Sequence, residues 1–284
     1  MITIYIQGGL GNQLFQIFTL IAASLENKIP FYFTSYKPDE VSPHDENSKR
    51  PTYWNNFLNS LNKFVKPREN TQGSQLIQEK KPFSFDPFSI STGQKTVLFG
   101  YFQSYKYFDQ HYNSILKFCK IPQQILIIKD EFKILLERNN CQLVSIHFRI
   151  GDYAYSKGAH TILSMDYYVK AIEKLTRLIP STKLKFIIFG EKQNESILND
   201  HLKTLEMHFS NHSFLFCPFE IDDWKQMLLM ANCDHNIIAN STFSWWSAYL
   251  NDNPNKKVIT PIWKHNNENI HKDLIPISWN TIDC

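Results

Sequence analysis

Apolar and polar positions alternate in a recurring order from the start of the chain. Residues 3–6 are a short apolar run that stops at Gly8-Gly9-Leu10-Gly11. Leu14, Phe18, Ile21, Ala22 and Leu25 then recur near the 3.6-residue helical period, and residues 31–33 form a second apolar run. Strand, glycine turn, helix, strand is how a parallel α/β layer begins. From 38 to 92 the pattern dissolves into Pro, Asn, Ser and charge, which reads as a partly ordered insertion. Order returns with a strand at 96–101, a helix near 105–117 and an amphipathic helix over 129–139.

The second half is more regular. Strands are predicted at 142–148, 185–189, 214–216, 236–239 and finally 257–260. Helices alternate with them at 166–179, 196–205, 223–232 and 243–251. The first of these carries Tyr168, Ile172, Leu175 and Ile179 on one face and stops at Pro180. Such alternation predicts two doubly wound parallel layers with right-handed crossovers, facing each other across a cleft. The domains are drawn as 1–138, containing the insertion, and 139–284, whose last residues pack back on the first domain.

Composition narrows this only in places. The chain has 284 residues, room for about two domains of ~150. Thirty Lys and Arg against 27 Asp and Glu leave +3, too weak a field to predict a nucleic-acid or anionic-membrane partner. Five scattered cysteines without a CxxC make neither a disulfide framework nor a zinc site. Met1 to Leu25 carries no charge, but it lacks a basic start and is broken by Gln7, Asn12, Gln13 and Gln16. It therefore reads as a buried strand–turn–helix, not as a signal peptide or membrane span. The expectation is a cytoplasmic protein of a reducing compartment.

Three stretches could carry chemistry. In Gly8-Gly9-Leu10-Gly11-Asn12-Gln13 the glycines permit close backbone approach to a ligand, and a helix N-terminus follows. The alternative is a plain tight turn; GxGxxG fails at Leu14 and no GK[ST] follows. Next, a strand delivers His147 and Arg149 to one face, followed by Asp152, at the edge where open α/β sheets bind ligands. Arg149 suits a phosphate and the charge growing on a leaving diphosphate; the alternative is a structural Arg149–Asp152 ion pair. Third, Asn240-Ser241-Thr242-Phe243 lead into a helix whose cap and first-turn amides form an anion site. At least one of Trp245 and Trp246 is expected in the core. Asp222 and Asp223 are either acceptors for a purine amino edge or solvated helix-start carboxylates. No Asp-x-Asp occurs, and His208 and His212 lack the Glu of a zinc motif, so no metal is expected.

Taken in order, these motifs are similar to the α-1,2-fucosyltransferases of glycosyltransferase family 11. The resemblance rests on GGLGNQLFQ at 8–16, VSIHFRIGDY at 144–153, LMANCDHNIIANSTFSWWSAYL at 229–250 and Pro261-Ile262-Trp263. It implies a GT-B fold of two Rossmann-like domains. It also implies inverting, metal-independent transfer of L-fucose from GDP-β-L-fucose, with no cofactor, to a galactose 2-hydroxyl on a glycan. Carried over residue by residue, it has Arg149 hold the pyrophosphate, with His147 and Asp152 shaping the same pocket. Asn240, Ser241, Thr242 and Phe243 contact the phosphates, Asn12 with Gly9 and Gly11 faces the sugar or acceptor, and Asp223 or Asp222 meets the guanine. The sequence departs from the family pattern twice: Ile150 stands where a second Arg is usual, and Gly190-Glu191-Lys192 replaces Ser-Asp-Asp. These departures leave open another GDP-deoxyhexose or another linkage; a catalytically silent glycan- or nucleotide-binding module is a separate alternative, against which Arg149 speaks. His147, His160, Asp152 and Glu191 are all candidates for the base that takes the acceptor proton.

Overall fold

The computed structural model describes residues 1–34, 51–67, 72–91, 93–151, 162–180, 182–265, 268–269 and 272–283. The chain divides into two compact units, Met1–Gln124 with Lys272–Pro276, and Ile125–His271 with Ile277–Cys284.

The first unit contains β1 (Ile2–Ile4), α1 (Leu10–Asn27), β2 (Phe31–Thr34), β3 (Val65–Lys66), β4 (Gln75–Gln78), β5 (Thr96–Phe99) and α2 (Tyr112–Phe118). Its strands form a parallel sheet in the order β3-β2-β1-β5-β4. Instead of an amphipathic stripe, α1 is buried on every side from Leu10 to Ala23, except at Asn12, with Gln13, Gln16 and Thr19 among its buried side chains; Leu25 is exposed. The helix ends at Lys28, left-handed at φ 55°, whose N–H donates to Ser24 O. Part of the interval read as an insertion supplies β3 and β4. They are edge strands, and Gln-Leu-Ile-Gln in β4 alternates in exposure, so neither shows an apolar run. Residues 35–50, 68–71 and 92 of and around that interval lie outside the described residues. The helix expected near 105–117 is two short 3₁₀ turns followed by α2.

The chain passes into the second unit within α3 (Ile121–Glu131), which begins and ends earlier than the predicted 129–139 helix. Residues 125–138 are tied to the second unit by Asn232 Nδ2 donating to Ile125 O (3.1 Å), Lys185 Nζ to Leu135 O (3.0 Å), and an Arg138–Asp234 ion pair. There follow β6 (Gln142–His147), α4 (Met165–Leu178), β7 (Leu184–Phe189), α5 (Glu195–His208), β8 (Ser213–Phe216), α6 (Asp223–Ala231), β9 (His235–Ile237), α7 (Thr242–Leu250) and β10 (Val258–Pro261). A two-stranded antiparallel ribbon, β11 (Lys264–His265) with β12 (Glu268–Asn269), comes next, and then β13 (Asn280–Ile282). Sequence periodicity placed the last strand at β10; β13 is the third strand after it and pairs beside it, once the chain has contributed Lys272–Pro276 to the first unit.

All six strands of the second sheet are parallel, in the order β13-β10-β9-β6-β7-β8. Counted along the chain from β8, this is third, second, first, fourth, fifth, sixth, the doubly wound order. Connections therefore leave β6 in one direction and reach β9 in the other, and the crevice at the carboxyl ends of β6 and β9 is the switch point. Val144, Ile146, Phe186 and Ile188 from the strands pack with Ile172 and Leu175 of α4 in the core. Trp245 and Trp246 are both fully buried.

Candidate functional site

Strand β6 runs apolar and buried to His147, then the chain turns away as Phe148-Arg149-Ile150-Gly151. Register fixes what stands beside this turn. His147 pairs with Phe189 of β7, so two residues further on Arg149 faces Glu191; Ile146 pairs with Ile237 of β9, which brings Asn240 alongside on the other flank. His147 is buried, its carbonyl accepts from Tyr168 Oη (3.1 Å), and its ring lies 5.4 Å from that of Phe243. Burial, reinforced by the Arg149 charge, lowers its pKa to about 3, so the imidazole is neutral. No described residue pairs with its Nδ1. Phe148 and Ile150 turn the other way, and Ile150 joins the hydrophobic core. The second arginine of the family pattern is thus replaced by a core side chain.

Arg149 Nη1 donates to Glu191 Oε1, and Glu191 Oε2 accepts from Gln193 Nε2 (2.8 Å). The sequence-level alternative paired Arg149 with Asp152; Asp152 and His160 lie outside the described residues. Across the crevice, Ser241 is the N-cap of α7 in extended conformation (φ −133°, ψ 129°). Its carbonyl accepts from Trp245 N (3.0 Å), but its hydroxyl makes no capping bond. The N–H groups of a helix's first turn have no intrahelical acceptor, so α7 presents donors and a positive dipole end beside Asn240, Thr242 and Phe243. Asp222 and Asp223 are exposed at the start of α6, which follows β8, two strands from β6. Asp223 Oδ1 accepts from the adjacent Trp224 N (2.7 Å). Among the described residues, no three His, Cys, Asp or Glu side chains gather as metal ligands would.

The glycine motif lies in the first unit, at that sheet's own switch point between β1 and β5. The conformation the turn demands belongs to Gly8 (φ +77°), where a Cβ would stand 2.7 Å from Asn12 Nδ2 and 3.2 Å from Tyr101. Gly9 caps α1 with ordinary extended geometry, and Gly11 is inside the helix. Asn12 Oδ1 accepts from Gln103 Nε2 (2.8 Å), while Gln13 Nε2 ties the turn to Gly8 O (2.9 Å) and Pro51 O (2.8 Å). Gln103 was not marked by any sequence signal; it stands two residues after Tyr101 in the loop that follows β5.

The model of the family described as Glycosyl transferase family 11 matches residues 1–283. The chain belongs to that family. The O-antigen biosynthesis glycosyltransferase WbnK of Escherichia coli is 34% identical over 177 residues, covering 58% of this chain and 53% of that protein, so the match takes in about half the relative's length. An alpha-1,2-colitosyltransferase of E. coli is 27% identical across 97% of both chains. Among solved structures, a point mutant of Arabidopsis thaliana FUT1 in complex with GDP superposes with a TM-score of 0.52, at 10% identity over 94% of this chain and 71% of that one. At that identity the likeness speaks to fold, which is of the GT-B type. No helix among the described residues is long and apolar enough to cross a membrane.

Proposed function

We propose that this family 11 glycosyltransferase moves L-fucose from GDP-β-L-fucose to the 2-hydroxyl of a galactose-type acceptor, with inversion and without a metal ion. The observation that carries the reading is the strand order, in which Arg149 follows β6 and the N-terminus of α7 follows β9, the two strands that flank the switch point of the second sheet. A guanidinium and a row of amides there would stabilise the charge that builds on GDP as the glycosidic bond breaks. Fucose leaves through an oxocarbenium-like transition state, so leaving-group stabilisation supplies much of the barrier reduction. Asn240, Ser241, Thr242 and Phe243 line the same edge, and Asp223 is the candidate for the guanine.

Burial and the Arg149 charge make the neutral His147 imidazole a weak base in the ligand-free protein. That favours Asp152, His160 or Glu191 over His147 as the base for the acceptor proton. In the first unit Asn12, fixed by Gln103, offers its amide to the sugar or the acceptor.

A second reading is favoured by the full-length colitosyltransferase relative. Colitose is L-fucose without its 3-hydroxyl, and the same GDP anchor serves either donor. Calorimetry in EDTA with GDP-β-L-fucose, GDP-mannose and UDP-galactose, together with Arg149→Ala, tests the donor class. The expected result is selective, EDTA-insensitive binding that falls at least about tenfold in the variant. Equal binding of GDP-mannose or UDP-galactose would overturn the fucose assignment. Product NMR reads the linkage, and a 3-deoxy donor turned over faster than GDP-fucose would replace fucose with colitose.

A further inference from the structure

We infer that the diphosphate site of this enzyme is occupied by its own side chain at rest: Glu191 neutralises Arg149, and the donor diphosphate must displace it. The inference rests on the donor reading above. It begins with register. Because His147 and Phe189 are paired, the second residue after each strand meets its counterpart, and here those residues are Arg149 and Glu191. Glu191 comes from Gly190-Glu191-Lys192, the place where the sequence departs from the pattern of its family.

Local packing is built around the carboxylate. Gly151 has no side chain where Glu191 sits: a Cβ there would overlap the Glu191 carboxylate, with Cδ at 2.7 Å. Gln193 Nε2 donates to the second carboxylate oxygen, and the turn is closed by Asn194 N donating to Glu191 O (2.9 Å). Glu191 stands on the β7 flank of Arg149, away from α7. A diphosphate held by Arg149 would compete with Glu191 for the same guanidinium. The neighbouring Lys192 pairs with Glu220 (3.3 Å), both exposed, and so does not compensate Glu191.

The magnitude is bounded by exposure. The Arg149 side chain is 17% and that of Glu191 36% exposed, so the pair is neither deeply buried nor fully solvated. A pair of this kind lowers the fraction of protein with Arg149 available, and apparent affinity falls by that fraction. The effect expected is about two- to fivefold.

Two measurements on the full chain test it. In ligand-free protein, phenylglyoxal modification of Arg149, followed by peptide mapping, proceeds several-fold faster in Glu191→Gln than in wild type. Equal rates would overturn the resting pair. By calorimetry, Glu191→Gln binds GDP about two- to fivefold more tightly than wild type, whereas Glu220→Gln binds as wild type does. Unchanged or weaker GDP binding by Glu191→Gln would refute displacement, as would an equal gain in Glu220→Gln, which would mean a general charge effect. If neither wild type nor Glu191→Gln binds GDP, the donor reading fails and displacement with it, while the modification rates still decide whether the resting pair exists.

Discussion

His147 is a polar group carried by an apolar strand into a place where charge is disfavoured. Its pKa lies near 3 when folded and near 6.5 when the chain is unfolded, so between these values the unfolded chain binds the extra proton. The stability tied to the neutral imidazole is present above about pH 6.5 and is lost as pH falls toward 3. The slope approaches ~1.4 kcal/mol per pH unit for one proton. His147→Asn, followed by chemical denaturation from pH 7.5 to 4.5, is expected to flatten that acid limb by up to one proton's slope; a parallel fall in both proteins would contradict it. His201, His212 and His235 are shifted downward by burial as well, so the limb flattens without vanishing. The sequence identified His147 and Arg149 as a pair on one strand end. Neutrality of the one and the Glu191 partner of the other come from neighbours distant in the chain.

At the scale of elements, α1 shows where local rules were obeyed and where they were bent. Gly8 holds φ +77° at the β1–α1 turn, against Asn12 and Tyr101, while Lys28 holds a left-handed C-cap position that glycine usually fills. Gly8→Ala should lower stability by about 1–2 kcal/mol and disturb the turn that positions Asn12. Lys28→Gly should raise it by roughly 0.5–1 kcal/mol. Thermal melts of the two variants read both signs together, and a stabilising Gly8→Ala would show that the turn tolerates a side chain. In the second unit α7 was legible in outline: Ser241 or Thr242 was the expected cap, and the structure has Ser241 there, though its hydroxyl leaves the capping bond unmade. Edge strands β3 and β4 were not legible, since strands paired on one side need no continuous apolar run.

For the whole molecule, the proposed division of labour puts the nucleotide anchor in the second unit and the Asn12 amide in the first. Asn12→Ala is then expected to leave GDP affinity within about twofold while lowering turnover at least about tenfold. Arg149→Ala lowers both. Isothermal titration with GDP, beside steady-state rates, separates the two, and a matching loss of GDP binding in Asn12→Ala would end the division. The alternation of strand and helix, the loops that carry Gly8 to Gln13, His147 to Gly151 and Asn240 to Phe243, and the family were readable from sequence alone. The alternation and the loops depend on hydrophobic period and turn residues, which act over a few positions, whereas the family was legible only through the resemblance of its motifs. Tertiary structure alone decided the strand order that sets β6 beside both β7 and β9, the register that puts Glu191 against Arg149, and the return of Lys272–Pro276 to the first unit. It also decided that His147 is neutral and that Ile150 belongs to the core. Each of these depends on which distant segments are buried together, and a local pattern of apolar and polar residues does not encode that choice.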